Sequence, residues 1–387
     1  MLGLASLFGI LGLGLFADLF VGGTHDGSDG GGDAAAEDEH GAAGAGGTAH
    51  DMNGGDLLDA IDGGKGSPET SPDDGAGAEA REGAGSGTAT DQHGADHDGT
   101  GRDGTGGGGQ AGAELLGGPG DDILSGTQAA DRIEGGAGVD LMNGRAGPDL
   151  IRGGAGNDWA AGEGGADTLQ GEAGDDTLTG GADDDRLEGR VGDDSLAGQS
   201  GRDVLVGGGG ADTLIGGDGA DSLSGGRGDD ALVGDAGADV MIGGSGGDTL
   251  DGGAGDDLLI GSRARHPVAP DGTDYLNGGA GDDRLMLGAG DHGTGGAGSD
   301  LFVLGEGGPD GPEARGDETA GPAVVHDFDG AQDRLVVLVD PATQRLPVVG
   351  VEPGNGNSVY VTLDGARLAE IQGGAGLRPE DIDLRRG

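Results

Sequence analysis

The chain has 387 residues, of which 101 are glycine, 2% are aromatic and none is cysteine. So few large apolar side chains exclude a conventional globular core over most of that length, and the lack of cysteine excludes disulfides and thiolate metal sites. Seventy-two acidic against 20 basic residues give a net charge of -52, which repels phosphate backbones, excludes nucleic acid as a partner and invites hard cations.

Residues 1–22 (MLGLASLFGILGLGLFADLFVG) are apolar apart from Asp18. That is close to the roughly 20 residues a membrane-spanning helix needs. No Lys or Arg flanks Met1 and no small-residue cleavage site follows. Membrane anchor, uncleaved or cleaved signal, and loose hydrophobic helix all stay open. Residues 23–116 mix Gly, Ala, Asp, Ser and His without hydrophobic period, as in "GGTHDGSDGGGD", and read as a disordered, self-repelling acidic linker.

From Gly117 the chain repeats every nine residues, in sixteen copies without insertion or deletion to Ile260. Position 1 is Gly and position 6 is Asp in all sixteen. Position 4 is Gly except at Ala129 and Asp183, and position 8 is Leu, Ile or Met except at Ala160. Glycines at 1 and 4 predict positive φ and a tight turn with carbonyls free to face an ion. The aspartate supplies a carboxylate, and positions 7–9 predict a three-residue strand with its middle side chain inward. Stacked loop-plus-strand units make a solenoid. A row of stacked carboxylates opposes that stacking, so bound cations and folding are expected to be one event. An ion at ten times its dissociation constant adds about 1.4 kcal/mol.

The pattern G-G-x-G-x-D-x-U-x, with U large and apolar, resembles the RTX (hemolysin-type) calcium-binding repeat. After an eight-residue insertion read at 261–268 ("GSRARHPV"), it resumes as "APDGTDYLN", "GGAGDDRLM", an irregular "LGAGDHGT" and "GGAGSDLFV", ending at Val303. The resemblance implies an all-β fold, a parallel β-roll with two repeats per turn and calcium between turns. Loops n and n+2 would share an ion, pairing Asp122 with Asp140 and Asp131 with Asp149, with loop carbonyls completing the oxygen ligands. The implied metal ligands are Asp122, Asp131, Asp140, Asp149, Asp158, Asp167, Asp176, Asp185, Asp194, Asp203, Asp212, Asp221, Asp230, Asp239, Asp248, Asp257, Asp274, Asp283 and Asp300. Sixteen unbroken copies imply about 14 Ca2+ ions. Two copies depart from the pattern. Trp159 beside Ala160 predicts either loose packing or a twist that buries the Trp. In "LGAGDHGT", His292 stands where Asp is expected and one residue is missing, which speaks against a standard site.

Residues 304–387 regain β-branched alternation in "AVVHDF" (323–328), "RLVVLV" (334–339), "SVYVTL" (358–363) and "RLAEI" (367–371). They read as antiparallel strands of a small β-rich domain capping the roll. "VVHDFDGAQDRLVVL" resembles the segment that follows the repeats in many RTX proteins, where the C-terminal region carries an uncleaved type I secretion signal. "EDIDL" (380–384) is similar to such endings, and the following "RRG" departs from them.

Catalytic motifs are weak. There is no HExxH. Ser245 fits G-x-S-x-G but falls in a repeat loop, and Lys65 lies in no phosphate-binding pattern. His25, His40, His50, His93 and His97 read as solvated linker residues, and His326 as part of the tail's strand pattern. The expected protein is a non-enzymatic, secreted, extracellular bacterial calcium binder that meets the type I secretion machinery. The alternatives are a surface-anchored matrix or adhesion protein, with 1–22 as its membrane tether, and an accessory RTX module of a toxin or hydrolase.

Overall fold

The computed structural model describes residues 103–105, 111–262, 272–305, 321–339 and 345–386. The readings made for 1–22 and for nearly all of 23–116 lie outside them. Among the described residues, no helix is long and apolar enough to cross a membrane.

Short strands alternate between two sheets. In each sheet a strand pairs in parallel with the strand two repeats away, and the described residues give one sheet of 15 strands and another of 13. The register is constant: Leu141 pairs with Trp159 and Trp159 with Thr177. One turn of the roll is therefore two repeats. Strands such as Leu141–Ala146 run through positions 7, 8 and 9 and on into positions 1, 2 and 3 of the next copy. The ladder skips position 1, pairing Asn143 with Ala161 and then Arg145 with Glu163. What reads as a three-residue strand is thus a six-residue strand whose ladder is interrupted at position 1.

Side chains at positions 8 and 1 face inward, which explains the spacing of leucines and glycines. Leu169, Leu187 and Leu205 are fully buried in one sheet, and Leu178 and Leu196 in the other. These single columns meet across the roll and form one apolar cluster from Leu115 to Ile382. At the irregular copy, Ala160 fills the core position and Trp159 stays 39% exposed, with the strand register unbroken. The backbone therefore keeps its course and turns the indole outward. On the outer face of the 13-stranded sheet, Arg152 bridges Glu134 at 3.3 Å and donates to Gln170 at 3.0 Å. Gln170 in turn donates to Glu188 at 3.2 Å.

The roll also begins upstream of Gly117. Asp103–Thr105 pairs with Ile123–Ser125, and Glu114–Leu116 with Arg132, Ile133 and Glu134. The insertion is placed differently from the sequence reading. Gly261 and Ser262 complete the strand Leu258–Ser262, and pairing resumes with Tyr275 opposite Thr249. The extra residues therefore fall between Ser262 and Gly272, after position 2 of that loop. In "LGAGDHGT" the missing residue belongs to the loop, and His292 sits at position 7, opposite Tyr275. Gly293 then falls at the inward position. A Cβ there would lie 2.7 Å from Leu287 Cδ1, because Leu287 fills that space from the preceding strand.

The tail extends the roll before any antiparallel pairing appears. Ala323–Val325 adds in parallel beside His292–Ala297, and Arg334–Val339 beside Leu301–Leu304. Ala366–Ile371 and Ile382–Arg386 add the next parallel rungs to the two sheets. Among the described residues, antiparallel pairing is confined to Val349–Pro353, Val359–Leu363 and Ala366–Ile371. The last two are joined by Asp364 and Gly365, both at positive φ, as a two-residue hairpin turn requires. Apolar alternation marks a strand but not the direction of its partner, which is why 323–339 differs from the reading.

Leu287→Ala is expected to lower stability by about 2–5 kcal/mol, since Gly293 supplies no atoms for the space it leaves. Adding Gly293→Leu should recover part of that loss in denaturant unfolding. No recovery would show that Leu287 does not fill this gap.

Candidate metal centre

Every position-6 aspartate sits at the end of a loop, immediately before its strand, and is buried; Asp158, Asp203 and Asp248 have no exposed surface. The backbone around it is fully engaged. Its carbonyl accepts the N–H of position 7 two repeats on, as Leu141 N donates to Asp122 O at 2.8 Å. Its N–H donates to Oδ1 of the aspartate two repeats on, as Asp122 does to Asp140 at 2.8 Å and Asp131 to Asp149 at 2.7 Å. These links chain the aspartates into two rows, one along each edge of the roll.

The nineteen aspartates singled out from the sequence all lie in these rows. Two more join them. Asp274 N donates to Asp291 Oδ1 at 3.1 Å, and Asp300 N donates to Asp333 Oδ1 at 3.1 Å. Asp291 corrects the reading of "LGAGDHGT": the carboxylate is present, one residue before His292. Asp333 was hidden because its loop lacks the glycine spacing. The signal in both cases is an aspartate directly preceding a strand.

The second carboxylate oxygen is different. Among the described residues Oδ2 is buried without a hydrogen-bond partner in Asp140, Asp149, Asp158, Asp167, Asp176, Asp185, Asp194, Asp203, Asp212, Asp221, Asp230, Asp239, Asp257 and Asp283. A buried, uncompensated carboxylate oxygen is costly. Burial accordingly pushes these carboxyls up, opposed by the backbone N–H and reinforced by neighbouring aspartates. Asp149, Asp185, Asp194, Asp230 and Asp257 rise to about 7. Asp140, Asp158, Asp176 and Asp203 rise to about 6.

The glycines show where Oδ2 points. A Cβ at Gly198 would fall 2.3 Å from Asp203 Oδ2 and 2.8 Å from the Gly216 carbonyl oxygen. At Gly234 the corresponding distances are 2.4 Å to Asp239 Oδ2 and 2.6 Å to Gly252 O. Position 1 is therefore glycine because a carboxylate and a carbonyl converge there. Positive φ belongs to positions 2 and 4 instead, as at Gly136 (118°) and Gly138 (131°). Position 2 tolerates Arg145, Glu163 and Gln199 at φ of 73–81°, so its need for glycine is weaker.

No three His, Cys, Asp or Glu side chains converge among the described residues. A cation here would be held by aspartate Oδ2 together with backbone carbonyls, an oxygen-only set suited to calcium. Outside the rows, position-5 aspartates that were not singled out from the sequence cap exposed turns, Asp121 Oδ1 accepting Val139 N at 2.9 Å. Their signal was the recurrent "DD". Ser245 Oγ donates to the Gly226 carbonyl at 3.5 Å. His292 Nδ1 and His326 Nε2 are 2.9 Å apart, in a stack that begins at Tyr275.

The family model for the RTX calcium-binding nonapeptide repeat matches residues 116–151, 140–169, 152–187, 161–196, 197–232, 233–263 and 271–291. No curated protein matches the sequence. A similar solved structure is the X-ray crystal structure of a hyperactive, Ca2+-dependent, beta-helical antifreeze protein from an Antarctic bacterium. It is 21% identical, covering 60% of this chain and 77% of that one with a TM-score of 0.43.

These carboxyls go from 3.8 in the unfolded chain to about 6–7 when buried. Protonation therefore favours the ion-free fold: its contribution is full below 3.8 and is lost as pH rises through 6–7. In chelator, thermal melts should show lower stability at pH about 7.5 than at pH about 4.5. Apparent calcium affinity should rise over the same range. Chelator-treated protein that gains stability with rising pH would contradict this.

Proposed function

Since the array between residues 116 and 291 consists of RTX calcium-binding nonapeptide repeats, we propose that this chain is a secreted protein whose β-roll folds on binding calcium outside the cell. The observation that carries the reading is the run of buried aspartates within the two rows, among them Asp140, Asp158, Asp203 and Asp239, whose Oδ2 atoms have no hydrogen-bond partner among the described residues. At neutral pH these rows repel themselves, and divalent cations held by Oδ2 and the facing carbonyls remove that repulsion. Where calcium is scarce the acidic, glycine-rich chain stays unfolded; where it is plentiful the chain orders. The role is structural rather than catalytic.

Export supports the same sequence of events. A chain that is unfolded at cytosolic calcium is threadable, and the type I secretion machinery handles such chains from their C-terminal end. The proposed signal, "EDIDL" (380–384), runs into the strand Ile382–Arg386, which pairs with Arg334–Val339. The nineteen aspartates are the candidate ligands in this reading, together with glycine carbonyls such as Gly216 O and Gly252 O that stand close to Oδ2. About 14 ions serve the unbroken array.

Calcium titration of the full chain, followed by far-UV circular dichroism and Trp159 fluorescence, is expected to show a cooperative gain of β structure. Absence of any transition between about 1 μM and about 10 mM calcium would overturn the proposal. Magnesium should not substitute, because it demands tighter octahedral geometry. Gly198→Ala places a methyl against Asp203 Oδ2 and the Gly216 carbonyl, so it should shift the transition to higher calcium and lower the bound-ion count.

A further inference from the structure

Position 2 of the repeat takes two backbone states along the array. In most loops it is left-handed, as at Gly136, Arg145 and Glu163. In those same loops Oδ2 of Asp140, Asp149 and Asp167 has no hydrogen-bond partner. Thr127 and Gly288 lie outside the left-handed region. There, and at Gly118, the position-2 N–H donates to Oδ2 of the loop's own aspartate. Gly118 donates to Asp122 at 2.7 Å, Thr127 to Asp131 at 2.5 Å and Gly288 to Asp291 at 2.7 Å.

Thr127 goes further. Its Oγ1 lies 3.0 Å from Asp131 Oδ1 and 3.2 Å from Oδ2, and accepts the N–H of Ala129 at 3.2 Å. Ala113 N also donates to Asp131 Oδ1. The carboxylate thus receives two backbone N–H groups and a hydroxyl. A β-branched residue disfavours positive φ, so threonine selects this state through its backbone as well as its side chain. A lone pair engaged by an N–H is unavailable to a cation, and the hydrogen aimed at it carries positive charge that repels one.

Taking the calcium reading as given, we propose that the position-2 peptide decides whether a loop takes calcium. Left-handed, it leaves Oδ2 to the ion; outside that region, its own N–H replaces the ion. Of the nineteen candidate ligands named above, Asp122 and Asp131 therefore lie in calcium-independent loops, as does Asp291. These loops stand at the start of both rows and at the Asp291 end of one; in the other row Asp333, beyond Asp300, accepts Asp329 N at Oδ2 at 2.7 Å, so protein donors close both ends and the ion-taking stretch lies between. Such ends hold their strands together before any ion arrives and give the array a place from which to order.

The test counts ions on the full-length chain at saturating calcium by native mass spectrometry. Thr127→Gly removes the hydroxyl and permits the left-handed state, so it should bind about one ion more than wild type. Thr127→Ser, which keeps the hydroxyl, should bind the wild-type number. Glu163→Thr puts a β-branched residue with a hydroxyl at a left-handed position 2, and should bind about one ion fewer. An unchanged count in Thr127→Gly overturns the proposal, whatever Glu163→Thr does. A wild-type chain that takes no calcium overturns instead the function proposed above.

Discussion

Like charge, buried and stacked at strand spacing, governs this molecule. Parallel strands lie about 4.8 Å apart, so adjacent carboxylates in a row repel by roughly 3.5 kcal/mol at the effective dielectric of a protein surface. The backbone answers for one oxygen of each aspartate, through the N–H two repeats away. The other oxygen faces a carbonyl, which adds to the negative potential. Protons can relieve this, as the raised carboxyls show, and so can divalent ions. The leucine columns then need only hold two sheets one side chain apart. Core, loop and charge become a single cooperative unit because the aspartates immediately precede strands that, in nearly every copy, carry an inward leucine, isoleucine or methionine.

The glycines divide the work among themselves. At position 1 the reason is space: carboxylate and carbonyl oxygens stand where a Cβ would be. At position 4 it is conformation, and a lone Asp183 accepts φ of 78° there. At position 2 it is again conformation, but six residues with side chains tolerate it, among them Arg190 and Asp235. The most rigidly kept glycine is thus not the left-handed one. An invariant residue can record what its neighbour needs rather than what its own backbone does.

The two-repeat turn was implied by the resemblance to RTX repeats, whereas the solenoid and its leucine columns were legible because a nine-residue period repeats local chemistry many times over. The aspartate positions were legible for the same reason. What escaped lies where the period breaks. Leu287 filling the space of Gly293 is a contact between different strands, and no single copy contains it. Asp291 was displaced by counting from the wrong side of a shortened loop. Asp333 follows a loop with none of the usual glycines, yet the strand after it puts its carboxylate into the row. The parallel direction of Ala323–Val325 is set by the sheet it joins, and its own alternation is silent on that. The two roles of position 2 were invisible because hydrogen-bond direction is not written in residue type, except where threonine biases it.

The alternation of successive repeats between two sheets has a consequence for how such an array can grow or shrink. The row of Glu134, Arg152, Gln170 and Glu188 forms because residues eighteen apart share a face. The repeat itself is nine. The core columns and the glycine cradles are indifferent to which sheet a copy joins, but the outer faces are not. Duplication or loss of one copy would preserve every loop and every leucine while exchanging the two outer faces downstream, breaking such rows at the junction. Changes in pairs would leave them whole. The interior is written in units of one repeat and the surface in units of two, so the array carries a parity that its metal-binding chemistry alone would never enforce.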